Sequence, residues 1–307
     1  MRWPLSILVS ARISTPPSDN ITDCDTEEKF YREGLANFTL KKFQEAGFNE
    51  TFYNNLKEVS YDETTHVSFL TKAIMGKRTH HLGTSYQQLT ISGLNATPVA
   101  ECTYAFGVTN VKTFIVTASI LEGAGVSAYL GVAASIMDKT YLTAAGSILT
   151  VESRHSAYLR AAQDQSPFPQ AFDAPLDFDE VYTVVAPFIT SCPESNGKLP
   201  VKAFPALALD TMATAKVTTN ASISLMLKEP IMPSGLPCTW YAAWLSVTGP
   251  TFVEAMLEGN TKFMTTVPMG FHGQSYVMIT KENGTVTDDS VVAGPAIVEV
   301  QGANGMA

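Results

Sequence analysis

The strongest constraint on this 307-residue chain is a motif that occurs twice, as Glu63-Thr-Thr-His66 and Glu152-Ser-Arg-His155. Residues three apart on a helix share a face, so each pair can aim both side chains at one point. Both pairs fall in stretches of helical periodicity. Residues 50–75 place Leu56, Val59, Glu63, His66, Val67 and Leu70 on one stripe, and residues 140–162 form a helix around Glu152 and His155. The other three histidines read differently. His80 and His81 are adjacent, so regular structure would point them in different directions, and His272 has no acidic neighbour in sequence.

Two further helices complete a bundle. Residues 27–44 (EEKFYREGLANFTLKKFQ) repeat Tyr31, Leu35 and Phe38 at helical spacing, with Gly47 as a stop signal. Residues 109–137 are apolar and rich in Ala, Gly and Ser, and between 113 and 137 the sole charge is Glu122. Twenty-five such residues are long enough to span a bilayer. A lone carboxylate is costly in lipid, and small residues suit close helix packing, so a core helix is the favoured reading and no membrane span is expected. In bundles that hold two metal ions, two helices each give Glu-x-x-His and the other two give one Glu each. Glu122 fits the third helix. Carboxylates bridge two cations and offset their charge, while imidazoles cap each ion from the side.

Composition narrows the partners and the compartment. The formal charge is −9 with no basic run, which disfavours nucleic acid and acidic lipid. Cys24, Cys102, Cys192 and Cys238 include no Cys-x-x-Cys, so an oxidising compartment would allow one or two disulfides of open pairing. Glycosylation acceptors occur at Asn20, Asn37, Asn49, Asn95, Asn220 and Asn283, six of the twelve asparagines. Residues 1–11 (MRWPLSILVSA) read as a minimal signal peptide, and residues 12–26 as irregular chain. A secreted or cell-surface protein is expected.

After Pro167 the character changes. Residues 177–186 suggest one more helix and residues 193–205 a linker. From Thr218 onward ASISLMLK, CTWYAAWLSV, KFMTTVPM, SYVMITK and AIVEV alternate with turn signals, which predicts a β-sandwich. Trp240 and Trp244 share one strand face and read as its core. The expected domains are a signal-like or irregular segment 1–26, a helical domain 27–205 and a sandwich 206–307. No nucleophile elbow, Walker loop or dinucleotide fingerprint is present.

The segments YDETTHVSFL, ILEGAGVSAYLG and AAGSILTVESRHSAYLR resemble the ferritin-like domain of desiccation-related proteins, a group with plant, bacterial and secreted fungal stress-response members. FYREGL, APFITSCP and the tail TVTDDSVVAGPAIVEV are similar to the fungal members. The resemblance covers residues 27–205 and implies an α+β multidomain fold, a ferritin-like four-helix bundle followed by a C-terminal β-sandwich. In such bundles the first-helix ligand Glu commonly lies seven residues before a Tyr. Here that position is Cys24, and Glu27, about one turn later, is the candidate substitute. The implied ligand set is Glu27, Glu63, His66, Glu122, Glu152 and His155, holding two ions of Fe or Mn. Two functions stay open. One is a di-metal oxidoreductase acting on a small oxidant or unknown substrate, as a monomer or homo-oligomer. The alternative is a non-catalytic glycosylated stress or cell-surface protein with an incomplete metal site. An iron-storage cage is disfavoured by the glycosylation signals and the extra domain.

Overall fold

The computed structural model describes residues 26–74, 100–196, 201–214, 216–231 and 239–303. Cys24, His80, His81, Cys238, Asn20, Asn95 and the signal-like start lie outside the described residues. The chain divides into two compact units, Met1–Leu159 with Pro187–Pro200, and Arg160–Ala186 with Val201–Ala307.

The first unit is helical. Its elements are α1 (Thr26–Asn37), α2 (Leu40–Glu45), α3 (Glu50–Ile74), α4 (Val111–Val132) and α5 (Lys139–Ala161). The single helix expected over 27–44 is two. Thr39, the N-cap residue of α2, has extended backbone that breaks the run after α1. Gly47, at φ +97°, then ends α2 in a Schellman arrangement, with Phe48 N–H donating to the Phe43 carbonyl and Gly47 N–H to that of Gln44. The longer helices start at side-chain caps. Asn49 Oδ1 accepts from Phe52 N–H at 2.8 Å, Asn110 and Thr113 form a reciprocal capping box, and Asp138 Oδ1 accepts from Thr140 N–H at 2.7 Å.

α4 explains its own composition. Val111–Ser135 is long and apolar enough to cross a membrane, yet 67% of its most apolar window is buried inside the protein. Ala118, Ala124, Gly125 and Ala128 let neighbouring backbones approach, and Phe114 anchors an aromatic cluster with Phe30, Tyr31, Phe38 and Phe43. A short two-stranded sheet, β1 (Thr103–Tyr104) with β2 (Ile189–Ser191), completes this unit, and a disulfide joins Cys102 to Cys192.

The second unit holds α6 (Phe178–Val185), N-capped by Asp177 in a capping box with Glu180, and seven antiparallel strands. These are β3 (Leu207–Leu209), β4 (Ser222–Leu227), β5 (Trp240–Trp244), β6 (Thr251–Glu258), β7 (Lys262–Thr266), β8 (Gly273–Thr280) and β9 (Val291–Val300), in the spatial order β3-β4-β7-β6-β5-β8-β9. β6 turns the corner. Thr251–Ala255 pair with β5, and Met256–Glu258 pair with β7. The sheet folds over on itself there, and Gly294 N–H of β9 donates to the Pro205 carbonyl beside β3, giving a sandwich-like, nearly closed barrel. Ile223, Leu225, Trp240, Trp244, Phe263 and Val298 fill its interior. β3 and β6 were not expected from sequence. β6 has a weak alternating pattern because only Ala255 is fully buried along it.

Candidate metal centre

Four helices bring six titratable side chains into the interior of the first unit. α1 carries Glu27, α3 Glu63 and His66, α4 Glu122, and α5 Glu152 and His155. Glu27, Glu63, Glu122 and Glu152 are wholly inaccessible to solvent, and His66 and His155 nearly so. One ligating atom from each of Glu63, Glu122, Glu152 and His155 can be chosen so that all lie within 4.8 Å of one another. His66 Nδ1 is 3.3 Å from Glu152 Oε1 and 3.4 Å from Glu63 Oε2. His155 Nδ1 faces Glu122 Oε2 at 3.2 Å and Glu63 Oε1 at 3.3 Å. Glu27 is outside the tight group, but the charges of Glu63 and Glu122 act on it.

Burial on this scale is expensive for carboxylates. Desolvation, then the charges of Glu63 and Glu122, push the Glu27 carboxyl well above its ordinary value. Desolvation, then Glu63 and Glu27, do the same to Glu152. Glu63 goes the other way. Burial opposes ionisation, but hydrogen bonding with His155 and His66 overcomes it and brings the pKa down to about 2. Burial likewise works against a charged His155, yet Glu122 and Glu63 raise it to about 11.

The donor set fits a divalent cation. Among the described residues, both carboxylate oxygens of Glu27 and of Glu152 are buried without an aligned hydrogen bond. Each such oxygen carries a desolvation penalty that a cation would offset. Among the described residues the donor set is carboxylates with two imidazoles and no thiolate, which suits hard or borderline cations over soft ones.

Two residues that the sequence did not assign to the centre contribute to it, Tyr31 having been read only as a packing position of the first helix. Tyr31, one turn after Glu27 on α1, donates a 2.6 Å hydrogen bond to Glu122 Oε1. Burial first, then the Glu122 charge, raise its pKa well above the ordinary tyrosine value, so the hydroxyl keeps its proton and remains a donor. Asp62 places Oδ2 3.2 Å from His155 Nε2. An acidic residue beside Glu63 and an aromatic four residues after Glu27 were the available signals. His272 belongs to the second unit, with Nδ1 3.4 Å from the Gln301 carbonyl.

Comparison with known proteins agrees with this geometry. A family model described as the ferritin-like domain matches residues 25–165. The protein rds1 of Schizosaccharomyces pombe is 24% identical over 329 aligned positions, covering 89% of this chain and 77% of rds1. The helical region, residues 25–165, is therefore ferritin-like, and an antiparallel sheet follows it.

Proposed function

We propose that the bundle interior is a dinuclear Fe or Mn centre with a redox role toward a small oxidant such as oxygen or peroxide. The observation that carries this reading is the set of buried carboxylate oxygens without aligned partners, facing two imidazoles. Glu63, Glu122 and Glu152 would hold the ions with His66 and His155, and Glu27 would complete the first-helix side. Bound Fe or Mn supplies one-electron redox chemistry. The chain's own contribution is to exclude water by burial, to fix Glu122 through the Tyr31 hydroxyl, and to orient the His155 ring through Asp62. The test is elemental analysis of purified protein reconstituted anaerobically with Fe²⁺ or with Mn²⁺. Uptake of about two ions is expected, reduced in Glu63→Ala and in His155→Ala. Protein without bound metal after reconstitution rules the reading out.

A secreted or cell-surface location belongs to the same proposal. Asn37, Asn49, Asn220 and Asn283 are exposed, as glycan attachment requires, and the Cys102–Cys192 disulfide suits an oxidising compartment. Mass spectrometry of protein from its native source should find glycans at these positions, and unmodified asparagines throughout would contradict the assignment.

One observation favours a second, non-catalytic reading. The tight ligand group contains four residues and leaves out Glu27 and His66. Stability unchanged by a chelator, with no metal taken up, would select a glycosylated stress or surface protein whose bundle no longer needs an ion.

A further inference from the structure

The segment that leads into α4 lies against α1 as a strap. Cys102 is tied to Cys192 by the disulfide. Asn196 clasps the same segment from the other side, accepting from Ala100 N–H and donating to the Ala100 carbonyl, each at 2.8 Å. Between these two attachments, Glu101 reaches α1. One carboxylate oxygen pairs with Lys29 Nζ, and the other accepts from Arg32 Nη2 at 2.6 Å. Further along, the Phe106 ring meets Phe30 edge-on at 5.0 Å and stacks on Tyr104 at 5.5 Å. The strap therefore grips α1 at Lys29, Arg32 and Phe30, while other positions of the same helix, Glu27 and Tyr31, serve the carboxylate cluster. α1 has 12 residues, too few to hold a helix by itself in water. Its placement depends on what it docks against.

We propose that the disulfide-stapled strap, acting through the Glu101 pairs with Lys29 and Arg32, positions α1 so that Glu27 and Tyr31 stay in register with Glu63 and Glu122. Glu101 is thus a positioning residue for the metal centre, although it touches none of the ligands. This inference rests on the metal reading above. The pairs are partly exposed, Glu101 having 39% of its side chain accessible, so they bias the docking of α1 without locking it. Weakening them lowers the docked fraction, and apparent metal affinity falls in proportion.

The experiment is a titration of the full-length protein with Mn²⁺, reading free Mn²⁺ by electron paramagnetic resonance, alongside far-UV circular dichroism. Glu101→Gln should bind Mn²⁺ about three- to tenfold more weakly with unchanged helicity. Arg32→Gln serves as the second variant, and Cys102→Ser with Cys192→Ser should act in the same direction. In a background of Glu27→Ala with Tyr31→Phe, adding Glu101→Gln should change affinity no further, because the strap works through those two side chains. Wild-type protein that takes up neither Mn²⁺ nor, in the same titration, Fe²⁺ overturns this inference together with the metal reading. Wild-type binding matched by Glu101→Gln and Arg32→Gln overturns the inference alone, as does an undiminished Glu101→Gln effect in the double-variant background.

Discussion

The Tyr31 hydroxyl on α1 donates a 2.6 Å hydrogen bond to Glu122 Oε1 on α4, across 91 positions of sequence. Both residues are inaccessible to solvent. Tyr31→Phe keeps the ring packing and removes only the donor, leaving another carboxylate oxygen buried without a partner. It should cost about 1–3 kcal/mol of stability in metal-free protein. Bound metal should recover much of that loss by ligating the same carboxylate. Denaturant unfolding with and without Mn²⁺ measures both numbers, and an equal loss in the two states would show that Glu122 takes no part in binding.

Close approach of α1 and α4 sets the second expectation. A Cβ on Gly34 would lie 2.0 Å from Phe114 Cε2. That ring is fully buried and stacked on Phe30 at 4.8 Å, so it has little room to yield. Helix propensity alone would favour alanine by about 1 kcal/mol. Overpacking of about 1–3 kcal/mol should outweigh it. Gly34→Ala is therefore expected to lower the melting temperature, and Phe114→Leu in the same chain should restore part of the loss. A higher melting temperature for Gly34→Ala would mean the helices can part at no cost.

Metal uptake should release protons. In metal-free protein burial keeps Glu27 and Glu152 protonated well above the ordinary carboxyl range, and His155 holds its proton up to about 11. A protonated carboxyl or imidazolium must lose its proton to become a ligand, so metal uptake should release protons, the His155 proton among them. Affinity should consequently fall as pH is lowered. Isothermal titration with Mn²⁺ in buffers of different ionisation enthalpy counts the protons directly, and a count of zero would contradict the protonation states described above.

In the second unit, burial first and then Asp177 raise the Glu180 carboxyl from 4.5 to about 8. The native state then keeps a proton that the unfolded chain has already lost between these two values. Stability should fall as pH rises from about 4.5 to 8, at up to about 1.4 kcal/mol per pH unit, and should be unaffected by this group below that window. Glu180→Gln removes the titration and keeps an oxygen to accept from Asp177 N–H, the 2.8 Å bond that starts α6. The variant should have a flatter pH profile and exceed wild type at pH 8. Parallel denaturant midpoints for the two proteins would refute this assignment.

Helix existence and the inward face of each bundle helix were legible in the sequence, since local periodicity and caps such as Asn110 and Asp138 fix them. The same holds for Glu63, His66, Glu152 and His155, whose i, i+3 spacing puts each pair on one face. Glu122 was legible for a different reason, as a charge too costly to bury without a purpose. Legibility failed where neighbours in space decide. Thr39 splits the first helix through its own extended backbone. β6 is a strand because β5 and β7 flank it, and its alternation is weak. The Cys102–Cys192 pairing depends on β1 meeting β2, 86 positions apart from Thr103 to Ile189, which no spacing rule predicts.

By itself, then, the sequence determined the ferritin-like class of the helical region, the strand-rich character of the tail and the identity of five inward-facing ligand candidates, because these follow from short-range spacing. Only the tertiary structure decided that Glu27 shares the interior with them, that Tyr31 and Asp62 brace Glu122 and His155, and that Glu101 holds α1 from outside. Those relationships join helices far apart in the chain, and their energies exist only once burial has removed water from between them.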